Sequence, residues 1–417
     1  SKTLREAAVY LTGYRFRDVY GMALGLTGDM LVDMLRKRES EVSRSIAEAV
    51  RANLDRHGIE LIRGEARLGP ERRVLVTRPD GSAVELSGSV VLIATGSRPF
   101  HPADIPFDDP DVHDSDSIIH LDRIPGSMVV IGAGPVGSEY ASIFTALGSK
   151  VTLVDGADRL MPFVDHEVSD VLLAAFRRAG LDVRLGSPGA AVSRVDGRLR
   201  VTFGDGSFVE PDMLLFAAGR VGNTETLDLA AAGVDCDDRR RIVVDERFQT
   251  TAAGIYAAGD VIGPPALASV SAEQGRVAAC HAFDIPFKQM VDPLPPFGIY
   301  SIPEIGMVGM TEEAAEAAGI PAVSGRFPFA ANAKSRIIGT TDGLIKLVVA
   351  RDDRRLLGVH IIGDEAAEMV HVGQAMIHAG EKVDRCIDTT YNIPTRTEVY
   401  KYAAYDALQR LSEPNEA

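Results

Sequence analysis

An α/β protein with a parallel sheet at its middle is the fold class this sequence predicts, and three observations predict it. The apolar run Met128-Val-Val-Ile131 breaks at Gly132-x-Gly134-x-x-Gly137 and continues as a helix. From Ser127 onward, short apolar strands and amphipathic helices alternate, the mark of parallel strands joined by crossovers. Beyond Pro293-Leu-Pro-Pro296, strands at Gly343–Ala350 and Leu356–Ile362 are grouped with helices at Asp364–Ala379 and about Thr397–Leu411, which reads as a separate α+β part.

The glycine turn carries the most chemistry. Its first glycine makes the tight turn, its second lets backbone approach a pyrophosphate, and its third lets the helix pack on the strand. The helix N-terminus then faces the phosphates. The strand Lys150–Val154 follows and ends on Asp155, roughly 20 residues beyond the glycines, where an acid for ribose hydroxyls is expected. Gly132, Ala133, Gly134, Pro135, Val136, Gly137 and Asp155 are therefore candidate nucleotide-binding residues. Asp155 suits the two free hydroxyls of NAD(H), whereas Arg159, four residues on, suits the 2′-phosphate of NADP(H). A solvated loop cation is an equal reading of Arg159.

The other elements follow in order. A helix over Thr3–Val9 and a long amphipathic one from Asp29 to about His57 open the chain. Gly58 stops the second helix, and strands are expected at Glu60–Arg63, Arg73–Thr77 and Val90–Ala94. The last of these runs into Thr95-Gly96-Ser97-Arg98-Pro99. The Pro- and Asp-rich stretch Pro99–Asp116 reads as an interdomain linker. The helix Pro135–Leu147 precedes the strand Lys150–Val154, and the helix Asp165–Arg178 precedes the strand Leu181–Arg184. Two alternating strands around a Gly204-Asp-Gly206 turn lead to the strand at Met213-Leu-Leu-Phe216 and its loop Ala217-Ala-Gly219. The apolar strand Gly254–Gly259 ends on Asp260, where ligands gather in open α/β sheets, and Leu267-Ala268 begins a helix.

Composition narrows the function classes. The formal net charge of −15 argues against nucleic acid or an anionic membrane as a partner. No apolar run approaches the roughly 18 residues of a membrane span. The 3 cysteines, Cys236, Cys280 and Cys386, lie far apart, which fits reduced thiols in a cytoplasmic protein better than a disulfide framework. No Cys/His cluster has metal-ligand spacing, so no metal is expected. His371 and His378 on one helix read as part of a packing stripe, His360 as a core residue, and His101 has no assigned chemistry.

Several short signatures, in this order, resemble the FAD-dependent pyridine nucleotide-disulfide oxidoreductase family. Ser1-Lys2-Thr3-Leu4-Arg5 resembles the end of its Cys-bearing helix segment. Gly64-Glu65-Ala66 is similar to its turn over the FAD adenine, and Ala94-Thr95-Gly96 and Ala217-Ala-Gly219-Arg220 to the loops that close over its nucleotides. Gly254-Ile-Tyr-Ala-Ala-Gly-Asp260 resembles its second flavin motif, in which the Asp binds the ribityl chain. Ser97-Arg-Pro-Phe-His-Pro102, Asp114-Ser-Asp-Ser-Ile118 and Glu139-Tyr-Ala-Ser-Ile-Phe144 are most similar to the transhydrogenating branch.

The resemblance implies two Rossmann-like three-layer dinucleotide-binding domains, the second inserted in the first, plus a C-terminal α+β dimerisation domain. The expected boundaries are 1–119 and 249–293 for FAD, 120–248 for NAD(P), and 294–417 for dimerisation. It implies noncovalent FAD, with NAD(H) and NADP(H) as substrates, in a homodimer or higher homo-oligomer. It implies Gly64, Glu65, Ala66, Ala94, Thr95, Gly96, Asp260, Leu267 and Ala268 at the flavin, and Gly219 at the nicotinamide nucleotide. The helix N-terminus at Leu267-Ala268 suits an anionic ring system. Lys2 and Glu139 are implied as the catalytic pair beside flavin N5, with the Lys cation stabilising negative charge; without the resemblance they read as a terminal residue and an ordinary first-turn acid.

Two departures shape the functional expectation. Family members begin with an FAD-binding strand–GxGxxG–helix, and this sequence is expected to start after it and after the segment of a redox Cys pair. The disulfide-reducing members also carry His before Pro-Thr near the C-terminus, where this sequence has Ile393-Pro394-Thr395. Isoleucine moves no proton, so thiol chemistry loses its acid/base group. What remains is a flavin and a nicotinamide site, which points to hydride transfer between NADPH and NAD+. The alternatives are a dihydrolipoamide-type or other FAD-dependent NAD(P)H reductase, and a non-catalytic nucleotide-binding or redox-sensing flavoprotein.

Overall fold

The computed structural model describes residues 1–14, 28–187 and 190–413. It divides into two compact units. The first holds Ser1–Val42, His101–Ala218 and Leu294–Ala417, and the second Ser43–Phe100 and Gly219–Pro293.

The first unit is built on a parallel sheet of 5 strands. Their order is Val112–Asp114, Met213–Phe216, Ser127–Ile131, Lys150–Val154 and Asp182–Arg184. The central strands read as continuous apolar runs because both of their faces are covered. Met128, Val130, Leu153, Met213 and Leu215 are buried, with Phe144 from the helix Pro135–Ala146 and Leu172 and Phe176 from the helix His166–Arg178. Asp165 caps the second of these helices, accepting from the backbone N–H of Glu167 at 3.1 Å.

The same unit contains an antiparallel sheet of 5 strands. Its order is Phe297–Ile299, Ile305–Gly309, Leu356–Ile362, Leu344–Ala350 and Ala322–Pro328. The helices Ala366–His378 and Val399–Ser412 supply Met369, Val370, Tyr400 and Ala403 to its core. Ile299, Ile305 and Ile362 from this sheet join the core of the parallel sheet. That shared core flanks residues 300–304, whose N–H groups at Tyr300 and Ile302 bond the helix of the nucleotide turn.

The second unit pairs Val91–Ile93 in parallel with Ile255–Ala257, beside an antiparallel ribbon of Glu65–Leu68, Arg73–Thr77 and Ala83–Ser87. Leu68, Ile93, Leu227, Ile242, Ile255 and Val261 form its core. Among the described residues, no helix is long and apolar enough to cross a membrane.

Four expectations are corrected. Glu60–Arg63 is irregular chain rather than strand, with Ile59 and Leu61 exposed, and pairing starts only at Glu65. The stretch Pro99–Asp116 is more than a linker, because Val112–Asp114 forms the sheet edge against Met213–Phe216. Three strands, Ala190–Val195, Arg198–Phe203 and Phe208–Val209, stand where two were expected. His371 and His378 are exposed, because the buried face of their helix runs through Ala366, Met369, Val370 and Gly373.

Candidate functional site

The carboxyl ends of the parallel strands are where ligands bind in open α/β sheets, and most of the candidate residues lie there. In the first unit Gly132 takes φ +104, and a Cβ there would meet the backbone of Ala217 and Ala218 at 2.8 Å. A Cβ on Gly137 would stand 1.7 Å from the Gly132 carbonyl oxygen, so the helix packs on the turn only because that atom is missing. Gly134 differs: no atom lies within 4 Å of its hypothetical Cβ. The open ground before Gly134, at the start of the helix Pro135–Ala146, is room for a pyrophosphate against backbone. Pro135 and Val136 form the first turn of that helix.

Asp155 follows the adjacent strand. Its carboxylate accepts from the Ala133 N–H at 2.5 Å and from the Ala157 N–H at 2.8 Å. These bonds hold it beside the glycine turn. Arg159 is turned to other partners. It pairs with Glu313 at 3.3 Å and donates to the Pro162 carbonyl at 2.5 Å. Glu313 also accepts from the His166 N–H at 3.0 Å.

The structure brings Lys2 and Glu139 together across 137 positions of sequence. Glu139 is 4% exposed, and a buried carboxylate needs partners. Lys2 Nζ donates to both of its oxygens at 3.0 Å, the Tyr300 N–H donates at 3.0 Å, and the Ser1 hydroxyl donates at 3.3 Å. Lys2 Nζ also lies 5.0 Å from the centroid of the Tyr300 ring. Tyr300 gave no signal in the sequence, because only the fold brings it to Glu139.

Around this pair, Ser142 Oγ donates to the Glu139 carbonyl and accepts from the Ile302 N–H. Arg5 is buried, donates to the Ser301 carbonyl and pairs with Glu304 at 2.8 Å. Burial raises the Glu304 pKa despite the opposing charge of Arg5.

In the second unit, Ala94-Thr95-Gly96 and Asp260 follow the two parallel strands. Asp260 opens a short 3-10 turn, and its Oδ2 accepts from Ser97 Oγ at 3.0 Å. Ser97 Oγ in turn accepts from Arg220 Nε at 2.8 Å. Thr95 Oγ1 donates to the Asn223 carbonyl, and Asn223 Nδ2 returns a bond to the Thr95 carbonyl. Gly64 sits where a Cβ would meet the Thr77 carbonyl at 2.4 Å, and Glu65 and Ala66 begin the ribbon strand. Leu267 precedes the helix Ala268–Ala282 without a side-chain cap, so its first N–H groups have no capping oxygen. Gly219 is exposed at φ +119. A carboxylate held by a hydroxyl that a guanidinium in turn holds, two tight loops and an uncapped helix start fit the hydroxyls and anionic groups of FAD.

The acid/base position of the disulfide-reducing members is occupied here by Ile393. Ile393 is 74% exposed, and behind it Asn332 Nδ2 donates to the Thr395 carbonyl while buried Arg396 pairs with Asp364.

Residues 9–275 match the pyridine nucleotide-disulphide oxidoreductase family, and residues 295–404 match its dimerisation domain. A soluble pyridine nucleotide transhydrogenase from Mycobacterium tuberculosis is 41% identical over 418 residues, covering 100% of this chain and 89% of that relative. One from Colwellia psychrerythraea is 37% identical, covering 99% and 89%. Among solved structures, LpdA from Mycobacterium tuberculosis aligns with a TM-score of 0.86 at 26% identity, covering 99% of this chain and 90% of that one. The HOCl-induced flavoprotein disulfide reductase RclA from Escherichia coli aligns at 0.85 and 25%, covering 95% and 88%.

Proposed function

The chain belongs to the pyridine nucleotide-disulphide oxidoreductase family, and on that premise we propose that it transfers hydride from NADPH to NAD+. FAD, when bound, supplies the N5 atom that takes a hydride from one nucleotide and gives it to the next. Gly132–Gly137 hold the pyrophosphate of either nucleotide, Asp155 orients the ribose, and Arg159 is the candidate for the 2′-phosphate. Gly64–Ala66, Ala94–Gly96, Asp260 and the helix start at Leu267-Ala268 hold FAD. Lys2, held by Glu139, offsets the negative charge that arrives with hydride.

The observation that carries this reading over disulfide reduction is Ile393, an exposed side chain with no proton to give where thiol chemistry needs an acid/base group. The likeness to RclA supports the reductase alternative only as a relative. A homodimer formed through residues 295–404 is part of the proposal, as is a cytoplasmic setting, which the free thiols of Cys236, Cys280 and Cys386 support.

One nucleotide site used twice requires ping-pong kinetics. Initial rates at several fixed NADPH concentrations should give parallel double-reciprocal lines, and intersecting lines would require two nucleotides bound at once.

A further inference from the structure

We propose that Tyr300 is a positioning residue for the Lys2–Glu139 pair, its backbone N–H fixing the carboxylate and its ring holding the ammonium. The inference rests on the reading of that pair as the hydride-transfer site. Lys2 is more than half exposed, and its four-carbon stem has many rotamers. A carboxylate alone leaves an exposed ammonium free to swing about it. The Tyr300 ring, 5.0 Å from Nζ, adds a second contact of a different kind. The N–H of the same residue bonds Glu139 Oε1 at 3.0 Å, so one residue constrains both members of the pair.

Tyr300 is itself held from both sides. The Ile302 N–H donates to Ser142 Oγ at 3.2 Å, on the helix that carries Glu139. Arg5, on the helix that carries Lys2, donates to the Ser301 carbonyl at 3.2 Å and pairs with Glu304 at 2.8 Å. Ser301 and Arg5 are buried, so the segment 300–304 is keyed into the corner between the two helices. The C-terminal region thus contributes in cis to a site whose acid, Glu139, precedes Tyr300 by 161 positions.

The test separates the ring from the hydroxyl and from general support. Tyr300→Leu keeps the backbone N–H and removes the ring; Tyr300→Phe keeps both. With 13C-labelled lysine in the full chain, the Lys2 ε-CH2 resonance should be shifted upfield by the ring, stay shifted in Tyr300→Phe and relax in Tyr300→Leu. In FAD-loaded protein, Tyr300→Leu should slow flavin reduction by NADPH about threefold to fivefold, the worth of an exposed cation–π contact. Tyr300→Phe should recover most of that loss, and Lys2→Met/Tyr300→Leu should be no slower than Lys2→Met.

Losses that multiply in the double variant, or an unshifted Lys2 resonance in the parent chain, overturn the proposal. If Tyr300→Leu does not fold, Ser142→Ala, which removes the Ile302 acceptor, should show the same dependence on Lys2, and its failure to do so also overturns it. A slow Lys2→Met beside a Tyr300→Leu at the parent rate removes Tyr300 alone. A Lys2→Met at the parent rate removes the reading of the pair with it.

Discussion

Lys2 Nζ lies 3.0 Å from each carboxylate oxygen of Glu139, joining the first helix of the chain to the helix that leaves the glycine turn. A preorganised charge of this kind is worth most where charge develops during reaction, and removing one such group costs about 100-fold in rate. Lys2→Met and Glu139→Gln should each slow flavin reduction by NADPH by about that factor, read by stopped-flow absorbance. An unchanged rate in either variant would remove the pair from the mechanism.

The glycines of the turn make opposite demands. Gly137→Ala drives a methyl into the Gly132 carbonyl and should cost more than about 4 kcal/mol or prevent folding. Gly134 has φ −70 and open space, so Gly134→Ala should unfold at the parent temperature yet bind NADH more weakly. Thermal melts and NADH titrations check both. Equal stability of the two variants would contradict the close approach at Gly137.

In the proposed reading, Asp155 serves the ribose of NAD(H) and Arg159 the 2′-phosphate of NADP(H). To meet a 2′-phosphate, Arg159 must exchange Glu313 for it, trading one charge-assisted contact for a stronger one. Arg159→Ala should weaken NADPH about tenfold and leave NADH unaffected, on the scale of a charge-assisted hydrogen bond. Equal losses for both nucleotides would leave Arg159 as a support of its own loop.

Buried Lys346 contributes a pH-dependent part of the first unit's stability. Its Nζ lies 2.9 Å from Asp165 and 2.6 Å from Glu312. Burial opposes its charge, but hydrogen bonds and charge from Glu312 and Asp165 prevail and raise its pKa. For Glu312, burial is outweighed by Lys346 and the carboxyl pKa is lowered. The raised cation contributes stability present below its unfolded value of 10.5 and lost as pH climbs through the folded one. The lowered carboxylate contributes above 4.5, and that contribution is lost as pH falls. Lys346→Met leaves Asp165 buried without its cation and should cost about 3 kcal/mol at neutral pH. Urea midpoints from pH 5 to 11 test this; a variant as stable as the parent across that range would contradict it.

The sequence was most legible where one segment suffices. Lys150–Val154 and Leu356–Ile362 have the expected bounds because runs rich in Val, Ile and Leu give way to Asp155 and Gly363 at their ends. The nucleotide turn was legible because Gly132 and Gly137 answer local steric demands and the third glycine stands at the expected spacing. Val112–Asp114 was hidden because its three residues sit in a Pro/Asp-rich stretch and are held by a strand a hundred positions away. His371 was misplaced because one helical step from Val370 turns a side chain by about 100° out of the buried face. Lys2 with Glu139 came only through family resemblance, and Tyr300 not at all, since no periodicity reports a contact across more than a hundred residues.

The proposed reaction is hydride transfer between nucleotides rather than thiol oxidation. Its most direct test is turnover of NADPH with thio-NAD+ by FAD-loaded protein, with dihydrolipoamide plus NAD+ run alongside. Turnover of the nucleotide pair alone is the predicted result and accounts for Ile393 at the acid/base position. Turnover of the thiol pair, with little of the nucleotide pair, would contradict it.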